Sequence, residues 1–295
     1  MSPAQPVLLS DRTKAAQSKA RVLREALPWI TRWTGRTLVV KYGGNAMSAA
    51  ADTAFAADVA LLRAVGLRVV VVHGGGPQIS ALSERLGLQP NFVEGRRVTD
   101  PATLEAVTMA LLGDVSPRLV GLVQAAGAPA AGISGTDAGL ITVTPVAELG
   151  LVGDVAAVDP QLVERLLDEG TVPIVASLGR GPDGATYNVN ADAVAAALAV
   201  GMAADKVIYL TDVAGLYEHF GTADSTLLSE VGLERLREML AADALHSGMV
   251  PKIAGVVAAL DGGVAQAHLL DGRIEHALLL EIFTDEGIGT MVVAT

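Results

Sequence analysis

Two lysines about two hundred residues apart each stand where a cation can meet a phosphate. Lys41 ends the apolar run Leu38-Val39-Val40 and is followed by Tyr42-Gly43-Gly44-Asn45. The bare glycine backbone of Gly43 and Gly44 lets its N–H groups approach an anion closely. Lys252, in Gly248-Met249-Val250-Pro251-Lys252, opens a predicted helix, so its ammonium and the helix N-terminus can face the same charge. Between them in sequence, Asn188-Val189-Asn190-Ala191-Asp192 supplies an aspartate that can hold both ammonium groups. The chemistry this trio suits is phosphoryl transfer without a Walker loop, in which positioning and positive charge carry catalysis.

A second glycine loop, His73-Gly74-Gly75-Gly76-Pro77, follows the run Leu67 to Val72. That run has no polar alternation, as expected of a central strand covered on both faces. Pro77 suits a helix first turn, Ile79, Leu82 and Leu86 form the helix's apolar stripe, and Gly87 closes it. Two glycine loops at strand C-termini are placed where open α/β sheets bind ligands. Gly95-Arg96-Arg97-Val98-Thr99-Asp100 adds guanidinium groups able to grip a carboxylate through two parallel hydrogen bonds.

The elements that must position these residues alternate from Thr37 onward between short Val-rich runs and longer segments of helical period. This predicts an α/β three-layer sandwich with a mainly parallel central sheet and two lobes. Asp100-Pro101 and Asp159-Pro160 repeat one helix-start signal, a capping aspartate followed by proline. Gly179, Gly181, Pro182 and Gly184 predict a hairpin leading into Asn188. Residues 1–34 read as a helical extension with the stripe Val22, Leu23, Ala26, Leu27 and Ile30, kinked or restarted at Pro28. Residues 35–203 are expected to form the amino-acid lobe and 204–295 the nucleotide and regulatory lobe.

These segments, together with Thr211-Asp212-Val213-Ala214-Gly215-Leu216-Tyr217 and the stretch from His276 to Thr290, resemble the amino acid kinase superfamily over nearly the whole chain. Within it they are most similar to the arginine-regulated acetylglutamate kinase family. The resemblance implies transfer of the ATP γ-phosphoryl group to the side-chain carboxylate of N-acetyl-L-glutamate, with Mg²⁺ accompanying ATP. It implies catalytic roles for Lys41, Lys252 and Asp192. Gly43, Gly44 and Gly74 would contact phosphate, and Gly75, Gly76, Arg97, Asn188 and Asn190 would contact the amino acid. Adenine and ribose would lie at Thr211, Asp212, Val213, Gly215 and Leu216. No dedicated metal-ligand spacing is present, so phosphates and water are expected to supply most Mg²⁺ ligands.

By the same resemblance, the His276–Thr290 stretch forms a pocket for L-arginine as feedback inhibitor. Glu281 would meet the effector's guanidinium, Lys206 or loop N–H groups such as that of Gly287 its carboxylate, and His276 would close the pocket. The N-terminal helix would interlace subunits into a hexamer, a trimer of dimers. Arg96 stands where an apolar residue is expected, and the Thr142–Glu148 stretch is shorter than in relatives, near the amino-acid lobe. Two alternatives stay open: a same-fold kinase for another carboxylate, such as carrier-bound aminoadipate, and a non-catalytic arginine-sensing module.

Composition bounds the rest. A net charge of −11 disfavours general binding to nucleic acid or anionic membranes. The most apolar run, Ala193 to Ala204, falls short of the roughly 20 residues that cross a bilayer. There is no cysteine for disulfides and the chain opens on no charged leader with an apolar h-region, which leads to a cytoplasmic expectation. With 51% hydrophobic residues but only 3% aromatic, the core must be built of Ala, Val and Leu.

Overall fold

The Val-rich runs become the strands of one eight-stranded sheet. In spatial order these are Glu230–Gly232, Thr290–Val293, Gln266–Asp271, Lys206–Thr211, Thr37–Tyr42, Arg68–His73, Val172–Ala176 and Ala130–Ser134. The six strands from Gln266–Asp271 to Ala130–Ser134 are parallel, Thr290–Val293 pairs antiparallel with Gln266–Asp271, and Glu230–Gly232 forms the edge parallel to Thr290–Val293. This computed structural model describes residues 11–218, 225–241, 249–284 and 287–294, so Gly248, Asp285 and Glu286 of the motifs above lie outside the described residues.

Helices cover both faces, which is why the central strands lack polar alternation. Val39, Val70 and Val72 point to the face covered by helices Ala191–Gly201 and Val250–Asp261. Leu38, Val40, Tyr42, Val69 and Val71 point to the face covered by Ala49–Ala64 and Ser116–Ala125. Each fully buried Val or Leu contributes about 1.5–3 kcal/mol relative to exposure. The sheet therefore fixes its C-terminal edge firmly, and Lys41, His73 and Thr211 sit on that edge.

A smaller unit stands beyond that edge, where strands Ile141–Pro145, Val152–Val158, Leu178–Arg180 and Thr186–Val189 pair into a closed ring. The antiparallel pairing of Leu178–Arg180 with Thr186–Val189 is the expected hairpin. Its interior is so tight that a Cβ at Gly179 would meet Val143 at 2.4 Å. The Asp100 carboxylate caps its helix by accepting from Thr103 N (2.7 Å). The Asp159 expectation is corrected: Pro160 is the cap of helix Gln161–Asp168, its carbonyl accepting from Glu164 N, and Asp159 stands one residue earlier, accepting from Gln161 N (3.1 Å). Helices Pro101–Ala110 and Ser116–Ala125 run into each other through a π-helical turn, Leu111–Val115. The combined run is apolar enough to span a bilayer by composition, but Val107, Leu111, Val115, Leu119 and Val123 are buried in the protein, as in a core helix.

Pro28 does not restart the first helix, which is continuous from Asp11 to Trp33. Proline removes one backbone donor, and on this exposed helix water can satisfy the carbonyl left over. The helix packs against Ala277–Phe283 through its C-terminal end, while Val22, Leu23 and Leu27 remain 58%, 70% and 57% exposed, an apolar stripe that the described residues leave uncovered.

Candidate active site

Lys41 and Asp192 meet at the sheet's C-terminal edge. Their side chains pair at 3.0 Å with both residues buried, Lys41 from the central strand and Asp192 from the first turn of helix Ala191–Gly201. Asn190 caps that turn, its side-chain oxygen accepting from the backbone N–H of Asp192 (2.7 Å) and Ala193 (3.2 Å). The capping interaction holds the aspartate in place from its own backbone.

The two glycine loops converge on the same point. A Cβ at Gly43 would lie 3.2 Å from Gly74 N, and one at Gly74 would lie 3.4 Å from the Ala191 Cβ. Gly75 is pressed against the π-turn, where an added Cβ would meet Leu111 at 2.9 Å and Val115 at 3.2 Å. Glycine is needed at Gly43 and Gly75 for close approach of neighbouring chain. Gly44, at φ 70°, turns the chain in a left-handed conformation and starts the short turn Gly44–Ala46. Behind the loop, His73 is completely buried, places Nδ1 3.1 Å from the Gly74 carbonyl oxygen, and titrates down at about 4 because burial disfavours its charged form.

Next to this point lies a cavity of about 190 Å³ lined by Gly74, Gly75, Gly76, Arg97, Asn188, Asn190 and Ala191. Arg97 is the inward arginine. Its Nη2 donates to Ser80 Oγ (2.7 Å), its guanidinium stacks 4.7 Å from the Phe92 ring, and its buried Nη1 has no partner among the described residues. Burial lowers its pKa from the usual arginine value. Arg96 also lines the cavity, but its guanidinium is tied to Asp154 at 2.7 Å. Asn188 donates from Nδ2 to Thr99 Oγ1 (3.2 Å), which leaves its carbonyl for the cavity. Ser80, Phe92 and Ser177 complete this neighbourhood; none carried a sequence signal beyond its flanking motif.

On the other side, Thr211 ends its strand and closes a tight turn, Oγ1 donating to Val213 O (2.8 Å) and accepting from Val213 N (3.0 Å). Asn45 reaches across from the first glycine loop and donates to Asp212 (2.8 Å). That bond is the main cause holding the Asp212 carboxyl below its usual range, with the charges of Lys252 and Arg273 adding to it. Lys252 stands in the first turn of helix Val250–Asp261, and its influence on Asp212 brings it to this edge. Gly215 and Leu216 run beside Thr290, whose Oγ1 accepts from Leu216 N (2.8 Å).

A second cavity, of about 350 Å³, lies between the first helix and the far sheet edge. Lys206, Glu281 and Gly287 line it as expected, joined by His268, Trp29, Arg32 and Trp33. The His268 Nδ1 lies 2.5 Å from Glu281, whose other oxygen accepts from Ile288 N (2.9 Å). Burial works to raise the Glu281 carboxyl, and the His268 bond, the Ile288 N–H and Lys206 outweigh it, so Glu281 is held ionised beside a neutral imidazole. The Lys206 ammonium sits 4.5 Å from the Trp33 ring, and burial lowers its pKa to about 8. His276 does not line this cavity. Its backbone is left-handed (φ 61°), which turns the ring to Asp58 on helix Ala49–Ala64, with Nδ1 2.6 Å from the carboxylate. His268 takes the place expected of His276; a lone histidine within an apolar strand was its only sequence signal.

Known proteins are similar to this chain in sequence and in fold. Residues 36–271 match the sequence profile of the amino acid kinase family. Acetylglutamate kinase of Frankia alni is 52% identical over 290 residues, covering 95% of this chain and 84% of that protein. Acetylglutamate kinase of Symbiobacterium thermophilum is 47% identical over 289 residues, covering 94% of this chain and 98% of its own. Among solved structures, N-acetylglutamate synthase from Neisseria gonorrhoeae superposes with a TM-score of 0.82 at 28% identity, covering 94% of this chain, which spans 63% of the synthase chain. Carbamate kinase from Giardia lamblia shares the fold at a TM-score of 0.68 and 17% identity, over 88% of this chain and 99% of that one. With its paired lysine and aspartate between two glycine loops and this similarity along its length, the chain belongs to the acetylglutamate kinase family of amino acid kinases, phosphotransferases with a carboxyl group as acceptor.

Proposed function

We propose that the enzyme transfers the γ-phosphoryl group of Mg–ATP to the side-chain carboxylate of N-acetyl-L-glutamate, releasing ADP and the acyl phosphate. The observation that carries this reading is the buried, unpartnered Arg97 Nη1 in a small cavity beside the Lys41–Asp192 pair. A guanidinium taken out of water calls for an anion. A volume of about 190 Å³ suits a small acid better than a drug-sized ligand of several hundred Å³.

Arg97 and Asn188 hold the α-carboxylate end, which leaves the side-chain carboxylate to point toward Lys41 and the glycine loops. That nucleophile is already ionised at neutral pH, so no general base is required. The obstacle is repulsion between carboxylate and phosphate. Lys41, Lys252 and the N–H groups of Gly43, Gly44 and Gly74 offset it, while Asp192 orients Lys41. Mg²⁺ enters with ATP as part of the substrate, and the Thr211–Leu216 turn receives the nucleoside. Coupled measurement of ADP release with N-acetyl-L-glutamate, L-glutamate, L-aspartate and aminoadipate tests the assignment. Turnover with N-acetyl-L-glutamate alone is expected, and equal turnover with free glutamate would overturn it.

The 350 Å³ cavity supports control by L-arginine: Glu281 is ionised and Lys206 is a buried cation, one for each end of the effector. The exposed apolar stripe on the first helix supports a homo-oligomer, with a hexamer as the proposed state and sedimentation velocity as its test. The reaction is a step of arginine biosynthesis, and a cytoplasmic location goes with that role.

A further inference from the structure

Lys252 and Gly255 are three residues apart on helix Val250–Asp261, so they share one face of it. That face is turned to Tyr209 and to the start of the Asp192 helix. A Cβ at position 255 would lie 3.0 Å from the Tyr209 hydroxyl oxygen and 3.2 Å from the Asp192 carbonyl oxygen. Tyr209 is completely buried in the central strand and sits in register with Lys41 on the neighbouring strand. Its hydroxyl lies 3.5 Å from the same Asp192 carbonyl, a long hydrogen bond. One fixed phenol therefore touches both helices whose first turns carry the active-site charges.

Resting on the phosphoryl-transfer reading above, we infer that Tyr209 and Gly255 are positioning residues: the Tyr209 hydroxyl is the spacer between the Asp192 and Lys252 helices, and Gly255 allows the Lys252 helix to seat on it. Packing explains why neither neighbour can yield. Tyr209 lies in one cluster with Ile253, Val256, Val194 and Ala195, so the phenol is held from both helices. The oxygen facing Gly255 belongs to backbone in the capped first turn of the Asp192 helix. An added methyl must then move the Lys252 helix outward, and Lys252 with it. The acid cavity is lined from other elements and receives nothing from this helix. The defect should therefore fall on the chemical step and not on binding of the acid.

The test compares wild type, Gly255→Ala, Tyr209→Phe and the double variant by hydroxamate formation from Mg–ATP and N-acetyl-L-glutamate, with melting curves for each. Displacing a reacting group by a fraction of an ångström to 1 Å costs about ten- to a hundredfold in rate. Gly255→Ala should lower kcat by about tenfold or more with KM for the acid within about twofold. Tyr209→Phe removes the spacer and should lower kcat by about fivefold. In the double variant the methyl loses its contact with the hydroxyl and keeps only the one with the Asp192 carbonyl oxygen at 3.2 Å, so kcat should rise above that of Gly255→Ala. Wild-type kcat in Gly255→Ala, or a double variant no faster than Gly255→Ala, overturns the inference. If Gly255→Ala does not fold, Tyr209→Phe decides, and an unchanged kcat there overturns it. A wild-type protein making no acyl phosphate would instead overturn the proposed function on which the inference rests.

Discussion

Replacing Arg97 by lysine separates recognition of the acid from every other role in the site. In the free protein the guanidinium spends Nη2 on Ser80 and its face on Phe92, while Nη1 is buried and unpartnered. Lysine keeps the charge but offers a single point contact in place of the planar fork, so one charge-assisted hydrogen bond to the carboxylate is lost. Such a bond is worth about 1.5–3 kcal/mol, which at about 1.4 kcal/mol per factor of ten raises KM for N-acetyl-L-glutamate roughly 10- to 150-fold. The KM for ATP should stay within about twofold, because Arg97 makes none of the contacts around Asp212. Steady-state kinetics with each substrate varied in turn provides the assay. The reasoning is refuted if Arg97→Lys leaves KM for the acid unchanged, or if it lowers kcat alone.

Three further outcomes are expected. Lys41→Ala should cut kcat by about 10²–10³ with a normal circular dichroism spectrum, since it removes a cation from the transferring group and leaves Asp192 alone in a buried position. His73 is held at about 4 against an unfolded value of 6.5, so the native state binds fewer protons than the unfolded chain between those values. Its contribution is complete above pH 6.5 and is lost toward pH 4, about 3 kcal/mol in all, and denaturant titrations at pH 6.5 and 4.5 should show a shallower acid loss in His73→Asn than in wild type. Lys206 is protonated below about pH 8 and neutral above it, so inhibition by L-arginine should weaken as pH rises through and beyond 8, while a Lys206→Met variant should lose that pH dependence; equal inhibition at pH 7 and 9.5 in wild type would remove Lys206 from the effector site.

Much of the sheet was legible because buried parallel strands write themselves as unbroken apolar runs, as in Val69 to Val72, and because the helix that starts at Asp100 carries local capping chemistry. The glycine loops were legible for a related reason: each ends such a run. What was not legible depends on contacts between distant segments. Nothing local distinguishes Arg97 from Arg96; they differ in their partners, Asp154, 58 residues from Arg96, and Ser80 for Arg97. His276 was misplaced because its left-handed backbone and its partner Asp58, 218 residues away, are tertiary facts. His268 was missed because a histidine inside an apolar strand looks the same whether it pairs with Glu281 or merely fills the core. The continuity of the first helix through Pro28 was not legible because propensity weighs against proline inside a helix, whereas an exposed helix can leave one carbonyl to water. The π-turn at Leu111–Val115 had no signal at all, although Gly75 packs against it.

The central claim is that the Lys41–Asp192 edge joins a carboxylate to a phosphoryl group. Incubation of the wild-type protein with Mg–ATP, N-acetyl-L-glutamate and hydroxylamine measures it most directly, since hydroxylamine captures an acyl phosphate as a hydroxamate. The account predicts hydroxamate in proportion to ADP released, at least a hundredfold less of it from Lys41→Ala, and none without the acid. ADP released without hydroxamate, or hydroxamate undiminished in Lys41→Ala, would contradict it.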